Sequence, residues 1–132
     1  MSVEVFIIDP VTSQQTKTQT VTTTKTSATF VLANNLTEQT LVEITNATGA
    51  IQSLNFYADI NAITRPNFRI KLYLKIDGTN YRLHNTYTFA STDEVAQFDE
   101  SLTSFDIKIT ALSASFEGTT RNIPYYYYLE PK

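Results

Sequence analysis

FRIKLYLKIDGTNYRLHNTYTF, residues 68–89, decides the fold class of this chain. Phe68, Ile70, Leu72, Leu74 and Ile76 alternate with Arg69, Lys71, Tyr73 and Lys75. An extended backbone sends successive side chains to opposite faces, so this is a strand with one apolar and one solvated face. Asp77-Gly78 then favours a tight turn, because glycine accepts positive φ. Tyr81, Leu83, Asn85, Tyr87 and Phe89 continue the alternation on a return strand. A two-residue loop pairs Leu74 with Tyr81 and Leu72 with Leu83, whereas a four-residue loop pairs Ile76 with Tyr81 and Leu74 with Leu83. Both registers keep the apolar parity inward, so parity does not choose between them. On either one His84 falls on the outward face, beside Lys71 or Arg69.

The same period recurs on both sides of this hairpin. Upstream, Val3–Ile8 reads as a short strand stopped by Asp9-Pro10, and Gln39–Thr45 alternates weakly with Leu41 and Val42 inward. Leu54, Phe56, Ala58 and Ile60 share one parity, and Ile51 falls off it, which predicts a bulge near Gln52-Ser53. Downstream, Phe105, Ile107, Ile109 and Ala111 alternate with Asp106, Lys108 and Thr110, which are expected outward. Ile123–Leu129 closes the chain as a strand after the polar loop Glu117–Asn122. Ser91-Thr92-Asp93-Glu94 resembles a capping box, which predicts a short helix through Phe98, with a loop or edge strand as the competing reading. Short strands with turns every ~8–12 residues and almost no helix point to an antiparallel β-sandwich of jelly-roll-like form. Phe56, Ile70, Leu72, Leu74, Leu83, Phe89, Ile107 and Ile109 are the expected core.

Residues 12–29 are of another kind. Thr16, Thr18, Thr20, Thr22, Thr24 and Thr26 stand on alternate positions, with Lys17, Gln19, Val21, Thr23 and Lys25 between them. Threonine is stiff at χ1 and favours extended structure, yet neither face here can bury much apolar area. Ordering such a backbone costs about 1–2 kcal/mol per residue, so a sheet edge, its own or a neighbour's, is expected to hold it. The chain therefore divides into an N-terminal strand and extended arm, 1–33, and a sandwich domain, 34–132.

Composition removes several function classes. A net charge of −3 and isolated basic residues leave no electrostatic footprint for nucleic acid. The absence of cysteine excludes disulfides, thiolate catalysis and Cys-based zinc sites. Val3–Ile8 is too short for a signal-peptide core, and no stretch approaches a membrane span, so synthesis in a cytoplasm is expected, with no membrane partner. The single histidine, His84, excludes arrangements needing several, and no carboxylate is spaced to work with it. Asp93, Asp99 and Glu100 could supply hard oxygens to calcium, but their spacing matches no calcium loop and a solvated acidic loop is preferred. No catalytic residue, metal or cofactor is assigned.

Contact chemistry is better represented. Tyr125, Tyr126, Tyr127 and Tyr128 in a strand would send two rings inward and two outward, and outward tyrosines suit subunit contacts or sugar stacking. Arg69, Lys71, Lys75 and Arg82 around Tyr73 make a basic outward face, read as solvated or partner-facing. Thr18, Thr20, Thr22, Thr24 and Tyr125–Tyr128 are the candidate interface.

Gly49-Ala50-Ile51 running into Phe56, Phe68-Arg69-Ile70-Lys71-Leu72, the Ile76-Asp77-Gly78-Thr79 turn, Phe105-Asp106-Ile107-Lys108-Ile109 and Ile123-Pro124-Tyr125-Tyr126 together resemble the β-sandwich modules of tailed-phage virion proteins. Such modules serve as head decoration proteins, head fibres and tail accessories, and the resemblance covers residues 49–129. It implies a non-enzymatic structural protein in the virion. Its partners would be copies of itself, as a homo-oligomer of trimeric type for example, and other virion proteins. The alternative expectation is a glycan-binding module of a receptor-binding or adhesion protein, acting through outward tyrosines.

Overall fold

Every regular element among the described residues is a strand. The computed structural model describes residues 2–9, 14–22, 25–47, 49–101 and 105–131. The elements are β1 (Ser2–Asp9), β2 (Gln14–Thr22), β3 (Thr26–Leu32), β4 (Gln39–Ile44), β5 (Gln52–Asp59), β6 (Phe68–Leu74), β7 (Arg82–Phe89), β8 (Val95–Glu100), β9 (Ile107–Leu112) and β10 (Arg121–Pro131). Two four-stranded antiparallel sheets, β3-β10-β5-β8 and β4-β9-β6-β7, form a β-sandwich. Chain connections cross between the sheets except at the β6–β7 hairpin. β3, read above with the N-terminal segment, is the edge strand beside β10.

The alternating residues fill the space between the sheets. Leu54, Phe56 and Ala58 from one sheet face Phe68, Ile70, Leu72 and Leu74, and Ile107 and Ile109, from the other, all buried. Phe56 stacks on Phe98 with centroids 5.0 Å apart. Phe89 is half-buried against this core, tilted on Phe68 at 6.4 Å.

The β6–β7 turn departs from both expected registers. Asp77 Oδ1 accepts the backbone N–H groups of Thr79 (2.9 Å) and Asn80 (2.7 Å). Those bonds hold Asp77 down to about 2, the bond from Asn80 contributing most. The turn they organise is wide, so the ladder begins only at Leu74↔Arg82 and Ile76 is 63% exposed. A bulge between Leu72 and Tyr73 then offsets the strands, pairing Tyr73 with Leu83 and Leu72 with Asn85. Opposite outward Tyr73, Leu83 is itself turned out and is 54% exposed, not core. Gly78 has φ 77°, as the turn chemistry requires.

Three further expectations are corrected. Residues 91–94 start no helix, and the residues after them form edge strand β8, the competing reading, paired with β5 from Asp59↔Val95 to Leu54↔Glu100. Ala96 and Phe98 bury on alternate positions, and the open β5 edge satisfies a longer ladder than one helical turn could. No bulge interrupts β5 near Gln52-Ser53; Ile51 lies before the strand and is 61% exposed. Thr110 is buried beneath the Glu38 loop, which bonds to Lys71 and Tyr73 of neighbouring β6.

One buried carboxylate joins two connections. Glu117 Oε1 accepts the Thr64 N–H (2.6 Å) and hydroxyl (3.1 Å), and Oε2 accepts the Arg65 N–H (2.9 Å). Arg121 Nε lies 3.3 Å from Oε1, and the Glu117 side chain is only 1% exposed. The loop after β9 is thus clasped to the loop before β6.

Candidate interaction surface

The tyrosine run occupies β10, a central strand between β3 and β5. Tyr125 and Tyr127 pack against the core, the expected inward pair. Tyr126 and Tyr128, on the other parity, meet Tyr57 of β5. Tyr57 stacks on Tyr126 at 4.8 Å and 18°, and on Tyr128 at 6.5 Å and 17°. Lys25 Nζ lies 4.7 Å from the Tyr126 centroid, a cation–π contact at the β3 side. Burial, and then a hydrogen bond with Tyr57, raises the Tyr128 phenol above its ordinary range. The register sets Ser27, Tyr126, Tyr57 and Gln97 in one outward row across the four strands.

An open groove of about 820 Å³ adjoins this stack, with Tyr57, Asp59, Asn61, Glu94, Pro124 and Tyr126 in its lining. Asp59 Oδ1 accepts the Asn61 N–H at 3.0 Å, which fixes the turn at the end of β5. No lysine or arginine lines the groove among the described residues. Tyr57 was legible only as an outward residue; what joins it to β10 is non-local pairing.

The remaining candidates are engaged in holding the sandwich. Tyr87 donates to Glu100 Oε1 at 2.6 Å and its ring stacks on Phe98 at 4.4 Å, linking edge strands β7 and β8 of opposite sheets. His84 Nε2 lies 3.3 Å from Glu100 Oε2, so His84 joins this clasp and not the face with Lys71 and Arg69. Burial raises the Glu100 pKa, but bonds from Tyr87, Asn85 and His84 outweigh it and hold the carboxyl below its ordinary value. Asp93 Oδ2 accepts the Ala90 N–H and Asp99 accepts from Gln97, so the three carboxylates considered for calcium have separate roles. Among the described residues no group of three or more His, Asp or Glu is placed to hold a metal ion.

On the other sheet, Lys71 and Lys75 of the basic face have partners. Lys71 bridges Glu38 at 3.1 Å, and Tyr73 donates to Glu38. Burial followed by the Glu38 bond pushes Tyr73 up to about 12. Lys108 Nζ lies 4.8 Å from the Tyr73 ring and 5.0 Å from the Tyr81 ring, and Lys75 sits 4.5 Å from Tyr81. Glu38 had no signal in the sequence, since it belongs to a loop brought over β6 by the fold.

The Thr-rich segment pairs with β1 in a separate two-stranded sheet. Thr18, Thr20 and Thr22 stand opposite Phe6, Glu4 and Ser2, and Thr24 lies outside the described residues.

No family and no curated protein matches this sequence. Among solved structures, the chain is similar to a protein of the disulfide-linked pili formed by Bacillus endospore appendages. That match has 12% identity and a TM-score of 0.52, covering 84% of this chain and 90% of the other. It is also similar to the Yersinia pseudotuberculosis-derived mitogen, at 12% identity and a TM-score of 0.48 over 84% and 88% of the two chains. A third similarity is to the acid-stable capsid of Helicobacter pylori bacteriophage KHP30, at 11% identity and a TM-score of 0.48 over 100% and 95%. At these identities the pilus likeness speaks to the sandwich fold alone.

Proposed function

We propose that this chain is a non-enzymatic structural subunit of a virus particle, a capsid decoration or accessory protein of a tailed phage. The observation that carries the reading is the Tyr57–Tyr126–Tyr128 stack on the outer face of one sheet. Stiff amphipathic rings gathered on an open sheet are the chemistry of protein contacts. The polar clusters around Glu38, Glu100 and Glu117 tie elements of the sandwich to one another. A sandwich of this fold occurs in a protein of endospore pili described as disulfide-linked. With no cysteine, the present chain would assemble without disulfides of its own. The N-terminal hairpin supplies a second contact element for copies of itself or other virion proteins.

The groove beside Tyr57, with Asp59, Asn61 and Glu94, supports a second reading, a glycan-binding module. Mass photometry together with a glycan array separates the two. A stable oligomer without glycan hits supports the particle subunit; a monomer with specific hits overturns it in favour of the glycan module. Deleting residues 1–24 should weaken oligomer formation while circular dichroism retains the sandwich signal. A truncated protein that remains fully oligomeric removes the hairpin from the assembly.

A further inference from the structure

Each sheet of the sandwich ends in two edge strands, and three of the four are protected against pairing with another chain. β4 carries a bulge between Thr40 and Val42 and the charge of Glu43. β7 carries the Leu72/Tyr73 offset together with Arg82 and His84. β8 ends in Asp99-Glu100. Bulges and charges are the usual devices by which an edge avoids a partner strand. β3 has none of them. Its sequence Thr26-Ser27-Ala28-Thr29-Phe30-Val31-Leu32 contains no charge, proline or glycine, and it pairs with β10 over its whole length without a shift. Among the described residues nothing pairs with its other side, because β1 and β2 form a sheet of their own. Its exposure is that of a free edge: all but Phe30 and Leu32 are exposed, with Val31 at 54%.

We propose that the free edge of β3 pairs antiparallel with β3 of a second copy, joining two β3-β10-β5-β8 sheets into one continuous sheet across a two-fold axis. The occupant follows from the strand's own chemistry. Centred on Thr29, antiparallel pairing sets Ser27 opposite Val31 and Ala28 opposite Phe30, so no charge meets a like charge. Parity is preserved, so core-side residues meet core-side residues. The half-buried Phe30 ring then lies against the small, exposed Ala28 of the other copy, large against small. β2 is the weaker candidate for this edge, since it already has β1 as partner and carries Lys17. A contact repeated by two-fold symmetry is also the commonest way a soluble chain associates with itself. A seven-residue ladder with its flanks is at the low end of stable interfaces, so the dimer should be concentration-dependent. The inference rests on the reading of this chain as an assembling subunit and names one contact within it.

The absence of cysteine makes the test clean. Thr29→Cys in the full chain places two thiols across the two-fold axis, within disulfide reach when the pair is of the closely spaced, non-hydrogen-bonded kind. Ala28→Cys paired with Phe30→Cys, the next pair along the ladder, covers the alternative spacing, and Gln97→Cys on β8 is the control. Mild oxidation should convert one of the β3 sets to covalent dimer while the control stays mostly monomeric. Ala28→Lys, an exposed site at the edge, should shift sedimentation velocity at about 100 µM to monomer without moving the melting temperature. Cross-linking of the β3 sets no better than the control, in a protein that still oligomerises, overturns β3 pairing and leaves the subunit reading standing. A wild-type chain monomeric at about 100 µM, well above the concentrations of specific association, overturns both. If Ala28→Lys unfolds the protein, the cysteine sets decide alone.

Discussion

Glu117→Ala should be among the most damaging polar substitutions in this protein. The carboxylate is 1% exposed and engages two backbone N–H groups, one hydroxyl and the Arg121 guanidinium. A hydrogen bond to a charged group contributes about 1.5–3 kcal/mol, and removing one partner of a buried ion pair costs about 3–5 kcal/mol. Thr64 and Arg65 are exposed residues, so water can replace part of what their N–H groups lose. That places the expected loss near 3 kcal/mol. With ~2.1 cal/mol/K of unfolding entropy per residue, a chain of this length changes by about 0.3 kcal/mol per kelvin, so the melting temperature should fall by about 10 °C. Glu117→Gln keeps one carbonyl acceptor but turns an NH₂ toward an N–H donor, and it should lose about half as much. Urea unfolding and calorimetry of both variants measure the effect. A loss under 1 kcal/mol for alanine, or equal losses for the two variants, would refute the clasp as a load on the fold.

The other expectations test the core, the turn and the tyrosines. Leu72→Ala, at a fully buried site, should cost about 2–5 kcal/mol in denaturant unfolding; under half a kcal/mol would mean the cavity closes over it. Gly78→Val should cost about 1 kcal/mol or more from the positive φ alone, since no heavy atom lies within 4 Å of the added Cβ. An unchanged urea midpoint would show that the turn relaxes to an ordinary conformation. Tyr73, raised to about 12, and Tyr81 and Tyr87, also raised, keep their protons in the folded state after the unfolded chain has lost them. The unfolded state then binds fewer protons, so stability should fall as pH rises from about 10 to 12. Tyr73→Phe should flatten that decline, and an alkaline stability profile identical to wild type would contradict the assignment.

The expected strands of the sandwich were legible because burial on one sheet face writes a period of two into the sequence. Phe68–Leu74, Leu54–Ala58 and Ile107–Ala111 therefore reveal both their conformation and their inward faces. Positive φ at Gly78 was legible too, since a local turn makes a local demand on its residues. The β6–β7 register was not. It depends on which acceptor Asp77 gives to Thr79 and Asn80, and one bulged residue was enough to turn Leu83 outward. The helical reading of residues 91–98 failed because the β5 edge was present to pair with β8, a fact the four letters Ser-Thr-Asp-Glu do not contain. The groupings with most bearing on function are the least local. Tyr57 reaches Tyr126 and Tyr128, Glu38 reaches Lys71 and Tyr73, and Glu117 reaches Thr64 and Arg65 only because distant strands pair. The sequence by itself determined the alternating residues of the central strands that leave water; the tertiary structure decided which of them meet, and which, like Leu83, stay outside, because pairing energy is set by neighbours in space and not along the chain.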